Sequence, residues 1–149
     1  MERGPRMRAQ QWTVKLLHES RIGHMATSTK DGRPHTVPIC YVFNGKTIYS
    51  SIDEKPKRVS SGRLRRARNI TQNPRVCLVV DTYSEDWKKL RYVIVHGLAT
   101  IISGGNEHKR AIALLRRKYR QYRKMHIEET PVIRISPVRI IGWRSDLET

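Results

Sequence analysis

Two hairpin-type turns constrain the fold of this chain more than any other feature. Asp31-Gly32 and Asn44-Gly45 separate three runs rich in β-branched and aromatic residues, Ile22–Thr29, His35–Phe43 and Lys46–Ile52. Asp-Gly and Asn-Gly are the strongest short hairpin signals because these residues tolerate positive φ. The three runs are therefore expected to form an antiparallel meander.

The rest of the chain predicts further strands separated by helices. Arg75–Asp81 is almost entirely apolar and β-branched, which is typical of a central strand covered on both faces. Pro38 lacks an N–H, so the second strand should bulge there or lie at a sheet edge. Periodicity and turn signals also predict helices at Gln10–Glu19, Arg63–Gln72 and Asn106–Lys124, a strand at Leu90–Ser103, and a last strand from Val132 to Trp143 interrupted by Pro137.

The order of these elements predicts a mainly β fold. Six strands in hairpin order, without βαβ alternation or a GxGxxG loop, favour a closed or partly closed antiparallel β-barrel with flanking helices. A length of 149 residues fits one domain, with a helix within residues 1–20 and the barrel within 21–144. No apolar run reaches the ~20 residues of a membrane span and no signal peptide is apparent, so we expect a cytoplasmic protein with no membrane partner.

A cationic stretch from Ser50 to Arg75 indicates an anion site. Lysines and arginines crowd the passage from a strand end to a helix start, where backbone amides and guanidinium groups both bind phosphate. The net charge of +17 likewise predicts a partner rich in negative charge. Charge alone leaves nucleic acid, an acidic membrane and a phosphorylated small molecule all open.

Cysteine and histidine do not form a metal-binding pattern. Cys40 and Cys77 lie in strand-like runs without CxxC spacing, and the histidines show no paired spacing such as HExxH. We therefore predict no metal site and two reduced cysteines.

Several motifs, taken together in order, resemble the pyridoxamine 5'-phosphate oxidase-like family with its FMN-binding split β-barrel, and in particular its small deazaflavin-dependent branch. The resemblance covers about Ile22 to Trp143. Its carriers are Met25–Ile39, Asp53–Arg58, Leu64–Asp81, Tyr83–Ala99, Arg117–Arg123 and Gly142-Trp143.

The resemblance implies a six-stranded split barrel that forms a homodimer, with cofactor sites at the subunit interface. The cofactor ring would lie along the strand that begins at His35. The implied cofactor-binding residues are His35, Thr36, Val37 and Pro38 for the ring, Ser51, Lys57, Arg58 and Arg66 for the phosphate with Lys55 and Asn69 close by, and Trp87 from the partner or the open face.

The resemblance also implies an oxidoreductase, and it leaves two cofactors open. Relatives bind FMN or the deazaflavin coenzyme F420; the excess of arginine and lysine favours F420, whose tail carries a phosphodiester and glutamate carboxylates. The activity would be hydride transfer to a small electron-poor substrate, and the catalytic residues are unknown. If a proton donor exists, His35 or Tyr41 would be tested first.

Two other functions remain as alternatives. A small barrel with this charge could bind nucleic acid, although the chain has one phenylalanine, Phe43, and no aromatic cluster on its strands. Relatives of this fold also include haem-binding proteins. The sequence favours the oxidoreductase over both.

Overall fold

A curled antiparallel sheet forms the body of the protein. The computed structural model describes residues 9–52 and 61–145, except for the side chains of residues 61–64. Within these residues the elements are α1 (Gln11–Glu19), β1 (Gly23–Ser28), β2 (Pro34–Ile39), β3 (Val42–Phe43), β4 (Ile48–Ser51), α2 (Ser61–Gln72), β5 (Arg75–Thr82), β6 (Arg91–Ile102), α3 (Asn106–Lys118) and β7 (Val132–Arg144), with short 3-10 helices at Trp87–Lys89 and Arg120–Lys124. The predicted mainly β class with flanking helices is confirmed.

The sheet order explains why this is a split barrel. The described strands form one sheet of seven, in the order β2-β1-β5-β6-β7-β4-β3. β2 and β3 therefore lie at opposite ends of the sheet, yet only Cys40 and Tyr41 connect them. Consecutive Cα atoms are about 3.8 Å apart, so Ile39 and Val42 are separated by at most about 11 Å. The sheet must curl until its two edges nearly meet.

The strand count differs from the predicted six because the second predicted strand is two strands. The run His35–Phe43 has no glycine to mark a break, but Tyr41 is held out of the ladder by a residue far away in sequence. The Tyr41 N–H donates to the Tyr119 hydroxyl oxygen at 3.0 Å, and that hydroxyl also donates toward the Tyr41 carbonyl oxygen at 2.9 Å. Tyr119 thereby takes both backbone groups that a continuous strand would use.

The same tyrosine shortens the predicted helix Asn106–Lys124. α3 ends at Lys118 because Tyr119 adopts an extended conformation, and a 3-10 helix follows at Arg120–Lys124. The Arg123 guanidinium then donates to the carbonyl oxygens of Arg116 and Arg117, which satisfies two groups at the end of α3.

Of the two prolines predicted to disturb strands, Pro38 lies where predicted, whereas the predicted interruption at Pro137 is wrong. β2, which contains Pro38, lies at the edge of the sheet as predicted. Pro137 does not interrupt β7, which runs continuously; instead the β6–β7 register shifts between His96 and Gly97, leaving Val138 without a cross-strand partner. This β-bulge accommodates the missing N–H of Pro137 without ending the strand.

One face of the sheet is buried within the chain and the other is not. Val76, Leu78 and Val80 of β5 are buried, whereas Cys77 and Val79 on the opposite side are only half-buried. β5 is central as predicted, but the described chain does not itself supply the second cover. We call the side that carries Cys77 and Val79 the outer face. None of the described helices is long and apolar enough to span a membrane.

Candidate functional site

A cleft opens where the β1–β2 hairpin meets α2. Its volume is about 400 Å³. We call it the arginine cleft, and its lining residues are Thr29, Arg33, Pro34, His35, Arg65, Arg68, Asn69 and Gln72.

Two asparagines attach α2 to β1 and so fix the wall of the arginine cleft. The buried Asn69 side chain donates from Nδ2 to Thr27 Oγ1 at 3.0 Å, and Asn73 Nδ2 donates to Ser28 Oγ at 2.8 Å. The two asparagines are four residues apart, about one helical turn, and their hydrogen bonds fix the C-terminal part of α2 against β1. The side chains of α2 that face the hairpin are therefore presented in a fixed orientation.

Helical periodicity divides the arginines of α2 between two environments. Arg65, Arg68 and Gln72 recur at the three- and four-residue spacing of one helix face and line the arginine cleft. Arg66 lies one position away and is only 9% exposed, on the same side as buried Asn69 and Ile70. Arg65 and Arg68 are thus the arginines of α2 that a ligand in this cleft would meet first.

The arginine cleft is electropositive. Arg33 forms an ion pair with Asp31, 3.6 Å between Nε and Oδ2, but both side chains are largely exposed and such a pair is weak. Neither Arg65 nor Arg68 forms an ion pair with another described residue. Their guanidinium groups remain available for oxyanions such as phosphate and carboxylate.

His35 adds an unsatisfied polar atom to the arginine cleft. It lies directly across from Thr27 in the β1–β2 ladder, on the side of the sheet that faces α2. Its Nε2 is buried and has no hydrogen-bond partner among the described residues. Because a buried polar atom without a partner is costly, a ligand that supplies one would be stabilised here. This observation fits a bound cofactor.

The predicted ring-binding residues of β2 are divided between the two faces of the sheet. His35 and Val37 point inward and are partly buried, whereas Thr36 and Pro38 lie exposed on the outer face. Pro38 lies opposite His24 and has no N–H to donate to it, so the two form a non-hydrogen-bonded pair of the ladder. Hydrogen-bonded and non-hydrogen-bonded pairs alternate along an antiparallel ladder, so Thr36 belongs to the same type of pair as Pro38, and its N–H points to the free edge of β2. The edge therefore offers a backbone donor.

The other predicted site residues are more dispersed. Ser51 is buried in β4, and its hydroxyl lies 2.8 Å from that of Thr130, away from the lining of the arginine cleft. Lys55, Lys57 and Arg58 lie outside the described residues. Trp87 is 60% exposed in the 3-10 helix before β6, at the other end of the sheet.

Tyr41 is not placed to act as a proton donor in the arginine cleft. Its side chain is fully buried, and its hydroxyl donates to the Leu17 carbonyl oxygen at 2.6 Å. Burial raises its pKa well above the ordinary value for tyrosine. Tyr41 is therefore a structural residue, which leaves His35 as the first proton donor to test.

Comparison with known proteins decides the family. The sequence profile of pyridoxamine 5'-phosphate oxidase matches residues 10–144, which include every described strand. The chain belongs to the pyridoxamine 5'-phosphate oxidase family. The family expected from the motifs is thereby confirmed.

One relative of this chain is a reductase. The chain is 30% identical over 140 residues to 5a,11a-dehydrotetracycline/5a,11a-dehydrooxytetracycline reductase of Streptomyces rimosus, across 91% of this chain and 84% of the relative. Family membership and this similarity together support an oxidoreductase.

Solved structures share the fold at lower identity. A conserved hypothetical protein of Mycobacterium tuberculosis superposes with a TM-score of 0.71 at 21% identity, covering 97% of this chain and 90% of its own. An FAD-binding protein of Mesorhizobium loti gives 0.67 at 22% identity, covering 90% and 93%. A protein described as an F420 reductase gives 0.63 at 21% identity, covering 89% and 98%. These neighbours show that the chain shares their fold.

Proposed function

We propose that this protein is a homodimeric reductase that uses coenzyme F420 to reduce an electron-poor carbon–carbon double bond in a small planar molecule. The arginine cleft is the observation that carries the proposal. It brings Arg33, Arg65 and Arg68 together with His35, whose Nε2 has no partner among the described residues, beside the edge strand β2. The reductase relative and the family support the reaction type.

The charge of the arginine cleft favours F420 over FMN. Three guanidinium groups line a cleft whose neighbouring carboxylate, Asp31, is already paired weakly with Arg33. FMN ends in a single phosphate, whereas the F420 tail continues from its phosphodiester into a series of carboxylates. A group of arginines suits the second ligand better, because each guanidinium can donate two hydrogen bonds to its own oxyanion in a planar, bidentate geometry.

The residues of the site would bind and orient the reactants. The Thr36 N–H at the edge of β2 would hold a carbonyl oxygen of the ring, His35 Nε2 would meet a polar group of the cofactor, and the arginines would fix the tail. When bound, the reduced coenzyme supplies a hydride to one carbon of the double bond, and a proton from water or from His35 completes the other carbon. The product has then gained two electrons and two hydrogens.

The outer face of the sheet supports the proposed homodimer. Within a single chain Leu98 is 46% exposed and Val138 61% exposed on it, with polar neighbours such as Arg75 and His96. Large exposed apolar side chains surrounded by polar ones fit a subunit interface with an apolar centre and a polar rim. A dimer formed there would also supply the second cover that β5 lacks.

We expect Leu98→Glu to convert the protein from a dimer to a monomer at micromolar concentration, because the carboxylate would move from water into the interface, and Arg75 opposite it on β5 would offset only part of that desolvation cost. Light scattering measures the mass directly. Ala113→Glu, on the exposed side of α3, should leave the dimer intact. A monomeric natural chain, or a dimeric Leu98→Glu variant, would rule out this interface.

The proposed function is tested by equilibrium binding of F420 and FMN side by side. We expect F420 to bind at least about tenfold more tightly, and its affinity to fall with added salt, as for pairing between exposed charges. Tighter binding of FMN would mean that the cofactor is FMN and not F420. Failure of both to bind would remove the reductase function.

A further inference from the structure

A second cleft lies at the opposite end of the sheet from the arginine cleft. Two adjoining hollows, about 420 and 780 Å³, share Thr82, Leu90 and Arg91. We call the pair the hairpin cleft; the two hollows meet at these shared residues around the strand ends. Tyr92 and Trp143 lie on the outer face, whereas the Arg91–Arg144 pair starts from the opposite face by alternation, and Arg91 lines both hollows. Because Ala26 pairs with Cys77 and His24 with Val79, the β1–β2 turn lies toward Arg75, and the hairpin cleft lies at the other end of β5.

An aromatic platform forms one half of the hairpin cleft. Tyr92 and Trp143 are cross-strand neighbours on β6 and β7, and their rings stack with centroids 5.6 Å apart and planes inclined by 22°. Trp143 is 45% exposed, so the stacked pair presents a flat surface to the cleft. Val79 and Ile94 continue this surface with apolar side chains. The platform is suited to a planar ring system.

Cationic side chains form the other half. Lys88, Lys89, Arg91 and Arg144 line it. None of Lys88, Lys89 and Arg91 forms an ion pair with another described residue. Arg144 lies against the Trp12 ring, 5.4 Å from its centroid, without a carboxylate partner in the described chain. These groups can therefore bind an anion.

Few carboxylates oppose this charge. Asp81 lines the aromatic half, and Glu85 accepts a hydrogen bond at 3.1 Å from the hydroxyl of Tyr83, which also lines it. Asp86 accepts a hydrogen bond from the Lys88 backbone N–H at 3.2 Å, at the start of the 3-10 helix. The cleft therefore retains a net positive charge beside a flat aromatic surface. A ligand that uses both halves must combine a planar ring with an adjacent negative charge.

We propose that the hairpin cleft binds the substrate, and that the substrate is a planar molecule of fused rings ionised as a carboxylate, enolate or phenolate. The ring would stack on Tyr92 and Trp143, and its anion would meet Arg91 and Lys89. That this ligand is a substrate rests on the proposed reductase function, whereas the binding itself does not. A two-fold dimer that packs the outer faces with opposite strand ends together would bring this cleft beside β2 of the partner.

The binding test uses the whole chain without cofactor and three probes measured by calorimetry: 3-hydroxy-2-naphthoate, its uncharged carboxamide, and acetate, which keeps the carboxylate but has no ring. We expect the naphthoate to bind at least about tenfold more tightly than either of the others, because one charge-assisted hydrogen bond and one stacking contact are each worth that factor. Equal binding of acid and amide, or binding of acetate as tight as that of the naphthoate, would overturn the proposal.

Two variants assign the contacts. Lys89→Gln with Arg91→Gln should weaken the naphthoate about tenfold while leaving the amide unchanged, and Trp143→Leu should weaken both aromatic probes. Arg65→Gln, in the arginine cleft, is the matched control and should change neither. Circular dichroism checks that each variant is folded. Loss of naphthoate binding in the control alone would place the ligand in the arginine cleft and overturn the proposal.

The result is independent of the cofactor experiment. If the naphthoate binds as expected and neither F420 nor FMN binds, the hairpin cleft is a binding site for planar anions but the protein is not the proposed reductase. F420 binding as expected, without discrimination between the acid and the amide, would keep the reductase and remove this site.

Discussion

Coenzyme F420 is expected to bind about a hundredfold more weakly to a variant carrying Arg65→Ala and Arg68→Ala than to the natural chain. Each guanidinium can make a charge-assisted hydrogen bond worth about 1.5–3 kcal/mol with a phosphate or carboxylate. Both side chains are exposed, so solvent screening reduces the total to about 3 kcal/mol. That free energy corresponds to the hundredfold change, and equilibrium titration of coenzyme fluorescence measures it.

The tail-less deazaflavin chromophore is the first control for this prediction. It lacks the phosphodiester and the carboxylates, so its affinity should change less than threefold in the same variant. Equal losses for the chromophore and the full coenzyme would mean that Arg65 and Arg68 do not bind the tail.

A charge-matched variant provides the second control. Arg117→Ala with Arg120→Ala removes the same charge from the exposed side of α3 and the following 3-10 helix. If the net charge of +17 merely attracts an acidic ligand from a distance, this variant should weaken F420 as much as the first one does. We expect the fold-change in F420 affinity to be less than a tenth of that in the first variant, because the arginines of the arginine cleft act through direct contacts.

Much of the fold could be predicted because its strands carry local signals. The Asp31-Gly32 turn, the almost continuous apolar run of β5 and the edge position of Pro38 all depend on neighbours within a few residues. The division of His35–Phe43 into β2 and β3 could not be predicted in this way. It depends on Tyr119, which lies 78 residues from Tyr41 in sequence.

The site was only partly predictable for a related reason. The separation of Arg65 and Arg68 from Arg66 was present in the sequence, because Arg66 shares a helix face with Asn69 and Ile70 at spacings of three and four. The number of cations between Ser50 and Arg75 does not by itself show this division between two helix faces. Arg33 had no such signal, since its part in the cleft depends on how the β1–β2 turn lies against α2.

The outer face and the hairpin cleft show a second limit of the sequence. Trp143 and Tyr92 lie 51 residues apart and become a stacked pair only through the β6–β7 register. That register is shifted by the bulge at Val138. Pro137 in the sequence indicates an irregularity in the strand, but it does not show which residue is left unpaired. Large exposed aromatics were identifiable as interface or ligand residues, but their pairing was not.

Replacing Tyr41 with alanine is expected to lower the free energy of unfolding by about 3–5 kcal/mol, the usual cost of removing a fully buried aromatic ring. The ring is fully buried in the short connection that joins the two edges of the split barrel, and the Lys118 ammonium lies 4.1 Å from its centroid. Domains of this size have a total stability of about 5–15 kcal/mol, so the loss is a large fraction. Urea unfolding followed by circular dichroism measures it.

The Tyr41→Phe variant separates the hydroxyl from the ring. The Tyr41 hydroxyl donates to the Leu17 carbonyl oxygen in the last turn of α1, and without it that buried oxygen loses its partner at a cost of about 1–2 kcal/mol. Tyr83→Ala, whose ring is 67% exposed, is the control and should change stability by less than about 0.5 kcal/mol. A Tyr41→Ala variant as stable as this control would mean that the edges of the barrel are held by the Tyr119 hydroxyl and the core strands alone. If the loss is as large as expected, the two-residue connection both closes the barrel and holds the β2 edge where the coenzyme ring would bind.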